Sequence, residues 1–582
     1  MEGYPEKGVA STAEGARACG ALRLTLIWPC GPCRMVDRLS DAEIRLSELV
    51  IDQEHLFRHT SVLASPEFGG RFPGTASEEL TLAYLRSEAE SIGLSPGNRD
   101  DGTFLQPVPL VKMTSLQRPA LEIAKDGASV LSLSNTCDLM AFTSKVEERL
   151  SVHDSDIVFV GYGARAAQWN WNDYGDVDFA GKTVICLVND PGFGSQDSDL
   201  FNGNCMTYYG RWPYKFEEAG RHGAAACFVV HNTSAASYPW HVIENGRGTL
   251  GKSFYLLESG HKHKCCIEGW ISEDAATRLF ANAGLNFVTL KTAACAPGFT
   301  PIALGLTCSL SVHHSIERLI SHNFLARIEG SDSKLRDETL VFTAHWDHLG
   351  QKGNDIYHGA RDNALGCAAI LEISRAIINL PREKRKRSVL VLLTTCEEQI
   401  LLGSLWYVAN PVYPLLKTIA CMNVDVMNTW GRTRDMSYSG RGFSELDEHV
   451  ERAARRQRRL VTGEHTPETG MFYRSDHFPF AKHGVPAIYL KNGFDHIEKG
   501  AEWFKRLYSE WVVECYHKPQ DQVVRDTESR WCWDLSGCVD DSRLLFDICC
   551  QLIDNGEPVH WKDGAEFKHV RMAHLKEGIH GC

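Results

Sequence analysis

Long apolar runs, repeats and low-complexity tracts are all missing from this 582-residue chain. No run approaches the roughly 18 apolar residues that a membrane-spanning helix needs, so no transmembrane segment is predicted. The absence of repeats excludes a solenoid. Basic residues are outnumbered, with 61 Lys and Arg against 74 Asp and Glu and a net charge of −13, which argues against nucleic acid as a partner. A hydrophobic content of 43% and a charged content of 23% are ordinary for a globular protein, and the length fits two or three domains.

The N-terminal segment gives conflicting signals about the compartment. Residues 21–28 form a short apolar patch that Arg23 interrupts, and no small-residue cleavage site follows, so no signal peptide is predicted. Residues 28–33, with Cys30 and Cys33, are similar to a thioredoxin-type redox motif. That motif needs a surrounding βαβ fold, and too little chain precedes it, so a redox function is disfavoured. The compartment therefore stays open.

The twenty cysteines are scattered along the chain, and many lie in apolar runs. Free cysteines in such runs behave as small buried hydrophobes, and cysteine usage on its own is ambiguous. His261, His263, Cys265 and Cys266 could bind a metal ion, but a polar loop is the favoured interpretation of that stretch.

Imidazole and carboxylate side chains follow apolar runs in an ordered series. The series consists of His345-Trp-Asp347, Asp362-Asn363, Glu397-Glu398, Asp425 and His517. Each motif alone is weak evidence for a metal site, because paired carboxylates usually lie on a solvated surface. Divalent cations such as zinc, however, need carboxylate and imidazole ligands that converge from separate elements. The ordered series therefore predicts a metal site.

The flanking sequence predicts an α/β fold with a mixed, mainly parallel sheet and helices on both of its faces. Continuous apolar strands are predicted at 339–344, 388–395, 419–424 and 485–490, and a helix at 364–380. Sheets of this kind bind ligands at the carboxyl ends of their strands. The metal-ligating candidates lie where that rule places a site.

Residues 339–525 resemble the catalytic core of the M28 family of zinc peptidases, the aminopeptidase and glutamate carboxypeptidase superfamily. The matching pieces are Ala-His345-Trp-Asp347-His, Gly-Ala-Arg-Asp362-Asn-Ala, Cys-Glu397-Glu398-Gln-Ile-Leu-Leu-Gly403-Ser404, Asn423-Val-Asp425 and Tyr516-His517-Lys-Pro. Upstream, residues 63–75 resemble the opening helix and loop of the same family. The resemblance implies the zinc-exopeptidase fold, peptide substrates and two divalent metal ions, most plausibly Zn²⁺.

The resemblance also implies a role for each residue of the series. His345 and Asp425 would hold one ion, Glu398 and His517 the other, and Asp362 would bridge the two. Glu397 would be the general base, and Asp347 would orient His345 by accepting its second ring proton. Tyr516 would steady the oxyanion. The peptide bond between Asp362 and Asn363 lies at a family position that is often cis.

Three positions depart from the family pattern. Leu365 stands where a small hydroxyl residue is common, and Ile400 stands where glycine is common. Neither is a ligand, so both bear on the shape of the pocket. Arg361 occupies a variable position beside the bridging Asp362, and we expect its side chain to face solvent.

Domain boundaries follow from changes in the pattern. Residues 1–40 are predicted to be a poorly defined extension, and residues 561–582 a C-terminal tail. A peptidase domain is predicted in two parts: residues 41–150 form the first part, and residues 301–560 form the main part with the metal site. Between them, residues 151–300 show short β runs that resemble the protease-associated (PA) domain, for example at 179–184 and 218–224. Such an insert would act as a lid or a substrate-selecting wall. Members of the family with a PA domain are often exported.

An aminopeptidase is the favoured function. The loop 470–480 is expected to line the pocket, where Phe472, Phe478 and Phe480 would suit an apolar side chain and Asp476 or Glu397 would receive the α-amine. Its single Arg474 is not the basic cluster that a carboxypeptidase needs. The alternatives are a carboxypeptidase-type M28 enzyme, a single-zinc cyclotransferase like glutaminyl cyclase, and a non-catalytic receptor-like relative. The oligomeric state stays open.

Overall fold

The computed structural model describes residues 39–134, 136–195, 197–247, 252–257, 264–554 and 556–580. The apolar patch at 21–28, the Cys30–Cys33 motif and residues 261–263 of the possible metal-binding loop lie outside these ranges. No helix within them is both long and apolar enough to cross a membrane. The α-helices are α1 (Asp41–Glu48), α2 (Gln53–Leu63), α3 (Ala76–Ile92), α4 (Pro191–Ser195), α5 (Trp212–Arg221), α6 (Thr233–Ala236), α7 (Trp240–Arg247), α8 (Glu273–Asn282), α9 (Phe287–Ala293), α10 (Leu365–Asn379), α11 (Leu402–Ala409), α12 (Leu446–Arg456), α13 (His477–Lys482), α14 (Gly500–Glu514), α15 (Ser536–Asp554) and α16 (Lys568–His580).

The strands fall into two large sheets and two small hairpins. They are β1 (Ser95–Pro96), β2 (Leu105–Ser115), β3 (Leu121–Lys125), β4 (Ala128–Leu133), β5 (Leu139–Phe142), β6 (Arg149–Phe159), β7 (Arg165–Ala166), β8 (Trp171–Asn172), β9 (Thr183–Leu187), β10 (Ala226–His231), β11 (Lys252–Leu256), β12 (Ile267–Ser272), β13 (Ile302–Ile328), β14 (Thr339–His345), β15 (Gly350–Lys352), β16 (Asp355–Tyr357), β17 (Ser388–Thr394), β18 (Thr418–Val424), β19 (Asp435–Ser439), β20 (Leu460–Val461) and β21 (Ala487–Lys491).

The first sheet has the order β11-β2-β13-β17-β14-β18-β21-β19-β20, and β1 pairs with β13 beside β2. The central strands β17, β14, β18 and β21 are parallel, whereas β2, β13 and β19 pair antiparallel. The prediction of a mixed, mainly parallel sheet is confirmed, and the four predicted strands appear at its centre.

The central strands are apolar throughout because both faces of the first sheet are covered. Successive side chains of a strand point to opposite faces. Leu325, Val341 and Leu390 therefore pack into one core, with residues of α11 and α13. Phe342 and Val391 pack into the other core, with α2, α10 and α15. This two-sided burial explains why the strands read as continuous hydrophobic runs.

The second sheet has the order β4-β3-β13-β6-β9-β10-β12-β5. Its hydrophobic core takes in residues from Leu121 to Val312. Strand β13 belongs to both sheets, because Ile302–His313 pairs with β6 and His314–Phe324 pairs with β2. The sheet thus begins before the predicted insert at 151–300, and the resemblance of that insert to a PA domain stays a prediction.

Candidate metal centre

Three parallel strands deliver acidic or imidazole side chains at their carboxyl ends. His345 is the last residue of β14, and Asp425 directly follows β18. Glu397 and Glu398 lie just beyond β17, after Cys396, whose φ of 53° turns the chain away from the strand direction. Since the three strands are neighbours, their ends meet at one edge of the sheet.

The segment before α10 brings Asp362 to the same edge. The peptide bond between Asp362 and Asn363 is cis, as predicted. The carboxylate of Asp521 accepts hydrogen bonds from the backbone N–H groups of Arg361 and Asp362, both at 3.1 Å. Asn363 Nδ2 donates to the carbonyl oxygen of Val424 at 2.8 Å. The segment is therefore tied to the strand β18 and to the turn that carries His517.

The first of two groups of converging side chains contains His345, Asp362 and Asp425. Nε2 of His345 lies 3.2 Å from Oδ1 of Asp362 and 3.4 Å from Oδ1 of Asp425. Oε2 of Glu397 is further away, at 3.9 Å from the same nitrogen. The histidine and the two aspartates therefore face a common point, and Glu397 lies beside it.

The second group forms around the other oxygen of Asp362. Nε2 of His517 lies 3.1 Å from Oδ2 of Asp362 and 3.2 Å from Oε2 of Glu398. The two carboxylate oxygens of Asp362 thus face different groups. This is the arrangement expected of a ligand that bridges two ions, and all five predicted ligands are brought together.

The carboxylates of both groups need positive charge. Burial raises the pKa of Asp362. The neighbouring His345 and His517 outweigh this effect and hold that pKa well below its usual range. Burial also raises the pKa of Glu398, but His517 and other neighbours lower it to about 2. Conversely, Glu397, Asp362 and Asp425 raise the pKa of His345 well above its usual value against the effect of burial. Bound cations would supply the charge that the protonated imidazoles otherwise provide.

Unpaired buried atoms show that the residues fit metal ions. Oδ2 of Asp362, Oε1 of Glu398 and Oδ1 of Asp425 are buried and make no hydrogen bond to the described residues. An anionic oxygen buried without a partner is costly, so these atoms call for a cation. The donors are imidazole nitrogens and carboxylate oxygens without a thiolate, a set that suits zinc.

Asp347 does not contact His345 as predicted. The ring nitrogen Nδ1 of His345 is hydrogen-bonded to the backbone carbonyl of Asp347 at 3.1 Å, whereas the Asp347 carboxylate is 3.8 Å away. That carboxylate instead accepts a hydrogen bond from the backbone N–H of Glu397 at 3.1 Å. The carbonyl therefore sets the orientation of His345, and the carboxylate of Asp347 holds the turn that carries the proposed base.

Glu397 and Tyr516 lie beside the two groups. Burial raises the pKa of Glu397 well above its usual value against the opposing effect of His345. The ring of Tyr516 stacks on His517 with a centroid distance of 3.9 Å, and 37% of this tyrosine is exposed. Burial, Asp362 and Glu398 raise the pKa of Tyr516, so its hydroxyl stays protonated and can donate a hydrogen bond. Both residues thus adjoin a histidine of the two groups, Glu397 beside His345 and Tyr516 beside His517.

His348 is a residue of the site that the sequence analysis missed. It is buried, and its Nδ1 lies 2.7 Å from Oε1 of Glu398, the oxygen opposite to the one near His517. Despite this short distance the pair makes no hydrogen bond, because both ring nitrogens of His348 and Oε1 of Glu398 lack a hydrogen-bond partner among the described residues. His348 converges with Asp362 and Glu398 on one point, so it is a further candidate ligand of the second ion. Its place directly after Asp347 was the available signal.

We expect His348→Gln to weaken binding of the ion at Glu398 and His517 by at least about 10–100-fold, because His348 converges with Asp362 and Glu398 and even partners that only orient ligands contribute that much. The ion at His345 and Asp425 should stay bound. Zinc titration against a competing chelator measures both affinities. His241→Gln, which changes an exposed histidine, is the control for nonspecific zinc binding. Unchanged affinity at both sites in His348→Gln would remove His348 from the site.

Ser475 is a second missed residue. Its Oγ donates to Oδ2 of Asp425 at 2.9 Å and accepts a hydrogen bond from Nδ2 of Asn423 at 2.7 Å. The hydroxyl therefore fixes the Asp425 carboxylate so that its other oxygen faces His345. Serine in a loop carries no signal of such a role in the sequence.

The expectation for Arg361 is wrong. The side chain is fully buried, with its guanidinium carbon 4.0 Å from the ring centre of Trp430 and 4.4 Å from that of Trp511. Its Nε donates to the carbonyl oxygen of Met427 at 2.7 Å. Contacts of a desolvated guanidinium with an aromatic face are worth about 2 kcal/mol, which helps to offset the burial of the charge.

Most of the loop 470–480 is buried. Phe472, Phe478 and Phe480 are buried in the hydrophobic cluster on one face of the first sheet. Asp476 is also fully buried, and its carboxylate accepts hydrogen bonds from the hydroxyls of Thr394 and Ser404. It therefore does not face a substrate amine, which leaves Glu397 as the predicted residue in that position.

Comparison with known proteins places residues 323–531 within the sequence profile of Peptidase family M28. Among solved structures, an aminopeptidase from Aneurinibacillus sp. strain AM-1 aligns with a TM-score of 0.48 and 18% identity, over 88% of this chain and 94% of that one. A peptidase M28 precursor from Shewanella amazonensis SB2B gives 0.44 and 15%, over 89% and 98%. BSAP, a zinc aminopeptidase from Bacillus subtilis, gives 0.38 and 17%, over 85% and 93%. No curated protein matches the chain.

Proposed function

Because residues 323–531 of this chain belong to peptidase family M28, we propose that it is a two-metal exopeptidase that releases N-terminal residues from peptides. The observation that carries this proposal is the division of the two oxygens of Asp362 between two groups of ligands, with Glu397 beside them. A general base next to, but outside, two converging ligand groups is the arrangement that hydrolysis by an activated water requires.

His345 and Asp425 would hold one ion, Glu398 and His517 the second, and Asp362 both. Two ions bound there would lower the pKa of a water molecule and polarise the scissile carbonyl. Glu397 would take a proton from the attacking water and give it to the departing amine. Tyr516, with its protonated hydroxyl, would donate a hydrogen bond to the developing oxyanion.

The acidic character of the site supports binding of the substrate by its free α-amine. Four carboxylates lie close together at the site, those of Asp362, Glu397, Glu398 and Asp425. A carboxylate that two bound ions do not fully neutralise attracts an ammonium group. Glu397 is the candidate for this contact, because neither ligand group includes it.

The test compares leucine 4-nitroanilide with its N-acetylated form. We expect the free amine to be cleaved at least about 100-fold faster in kcat/KM, because acetylation removes the charge that the site attracts. Release of nitroaniline measures both rates. Equal cleavage of the two compounds would rule out aminopeptidase specificity.

A further inference from the structure

A buried cation lies in the segment that carries the bridging carboxylate. The guanidinium carbon of Arg361 is 4.0 Å from the ring centre of Trp430 and 4.4 Å from that of Trp511. The ring centre of Tyr508 is 5.6 Å away, and these three rings form an aromatic cage around the guanidinium group. Nη1 and Nη2 of Arg361 are buried and make no hydrogen bond to the described residues. Because arginine stays charged in proteins, its outer nitrogens depend on the faces of these rings.

On one side, Arg361 connects the bridging residue to the loop after β18. Arg361 directly precedes Asp362, and Trp430 lies in the loop that follows Asp425. Nε of Arg361 donates to the carbonyl oxygen of Met427 in the same loop, at 2.7 Å. One guanidinium group therefore contacts the segments of two candidate ligands.

On the other side, the aromatic cage connects to His517 through Trp511, which lies on α14. The carbonyl oxygen of Trp511 accepts hydrogen bonds from the backbone N–H groups of Cys515 at 2.8 Å and Tyr516 at 3.1 Å. The ring centres of Trp511 and Tyr516 lie 5.7 Å apart, and the ring of Tyr516 stacks on that of His517 at 3.9 Å. A continuous series of contacts thus runs from Arg361 to His517.

His517 needs such support more than the other candidate histidine does. Of its side chain, 38% is exposed, whereas only 1% of the side chain of His345 is exposed. Its φ of 56° is a left-handed conformation, which is unfavourable for residues other than glycine. Beyond His517 in the chain, the carboxylate of Asp521 accepts a hydrogen bond from the backbone N–H of Asp362 at 3.1 Å. The position of His517 therefore depends on contacts made on both sides of it.

The other two segments have further connections that do not involve the aromatic cage. Nδ2 of Asn363 donates to the carbonyl oxygen of Val424 at 2.8 Å. The hydroxyl of Tyr489 donates to the carbonyl oxygen of Asp425 at 3.1 Å. Loss of the caged cation should therefore affect mainly the position of His517.

We infer that Arg361, enclosed by the aromatic cage, positions the turn that carries His517 against the bridging Asp362, and thereby sets the affinity for the second ion. This inference rests on the two-ion site of the proposed function and adds a positioning residue to it. Arg361 acts through Trp511 and the turn, and is not itself a ligand. The sequence gave no sign of this role, because the three rings are distant from Arg361 along the chain.

The first test measures zinc binding to Arg361→Met and Arg361→Lys by titration against a competing chelator. Methionine is long enough to stay between the rings but has neither the charge nor the Nε donor. We expect Arg361→Met to bind the second ion about 10–100-fold more weakly, the usual effect of losing a residue that orients a ligand, and the first ion within about twofold. Lysine keeps a cation in the cage, so Arg361→Lys should retain part of the affinity.

Two further variants make this titration specific. The binding step that Glu398→Gln weakens identifies the second ion. Arg387→Met is the matched control, because Arg387 is also fully buried but lies at the opposite end of β17 from the site. Its loss should lower the melting temperature and leave both zinc affinities unchanged. The inference is overturned if Arg361→Met binds both ions as the wild-type protein does, or if it weakens both equally.

Trp511→Leu and Trp511→Phe decide the question if Arg361→Met does not fold. Phenylalanine keeps an aromatic face for Arg361, whereas leucine does not. We expect Trp511→Leu to weaken the second ion selectively and Trp511→Phe to keep most of the affinity. Equal affinities of the two variants for the second ion overturn the inference.

Hydrogen exchange in the metal-free protein separates this inference from the proposed function. In Arg361→Met the backbone amides of Cys515 and Tyr516 should exchange at least about tenfold faster than in the wild-type protein, because the carbonyl group that they contact is no longer fixed. Wild-type exchange rates at these amides overturn the inference, even in a protein that binds two ions. If the wild-type protein binds fewer than two ions, the proposed function fails, and the exchange result alone decides about Arg361.

Discussion

Replacement of Glu397 by glutamine should lower kcat about 10²–10⁴-fold, the usual contribution of a general base. Glutamine has nearly the same shape but cannot accept a proton from the attacking water. Metal content should stay the same, because Glu397 lies outside the two groups of ligand atoms, 3.9 Å from Nε2 of His345. Steady-state kinetics and elemental analysis of the same preparation measure the two effects.

Glu398→Gln is the matched control, since it makes the same chemical change one residue away. Glu398 faces His517 at 3.2 Å, so this variant should lose affinity for the second ion. Excess zinc should restore part of its activity, whereas no zinc concentration should rescue Glu397→Gln. If Glu397→Gln lost zinc and regained full turnover on addition of zinc, the two glutamates would have exchanged roles.

Exhaustive chelation should abolish peptidase activity, and addition of zinc should restore it. The physical reason is that the five ligand side chains otherwise present only carboxylates and imidazoles, without a group that acidifies water at neutral pH. Activity on leucine 4-nitroanilide before chelation, after it and after zinc addition is the measurement. Full activity in the chelated protein, with metal shown to be absent, would contradict the two-metal proposal.

The number of bound ions distinguishes the remaining alternatives. Two zinc ions per chain support the exopeptidase, one supports the cyclotransferase, and none supports the non-catalytic relative. Asp362→Asn should lower affinity at both positions, because its two oxygens face different groups. Loss of one ion only in this variant would mean that Asp362 is not shared.

Much of the first sheet could be predicted from the sequence because its strands are buried on both faces. Strand β14, at Thr339–His345, and strand β18, at Thr418–Val424, lie within a residue of the predicted ranges. Burial on both sides produces continuous apolar runs, and a run that ends in a polar residue marks the end of the strand. For the same reason the positions of His345 and Asp425 at the edge of the sheet followed from the pattern.

Side-chain contacts were less predictable, as Asp347, Arg361 and Asp476 show. Asp347 was expected to hold His345 by its carboxylate, but its backbone carbonyl does so, and the backbone N–H of the distant Glu397 donates to the carboxylate. Arg361 is charged and was expected at the surface, but two tryptophans distant in the sequence enclose it. Asp476 was a candidate for binding the amine, yet hydroxyls from other elements occupy its oxygens. Each outcome depends on neighbours that the local sequence does not contain.

The sequence by itself determined the sheet, the order of the ligands along it and the family resemblance, because these depend on local patterns of polarity and residue type. Only the tertiary structure decided that the oxygens of Asp362 divide between two groups and that His348 contacts Glu398. Such contacts join residues far apart in the chain, and their distances are fixed by the packing of whole elements. The residue types of the site are thus set by the sequence, and their arrangement is set by the packing of the elements that carry them.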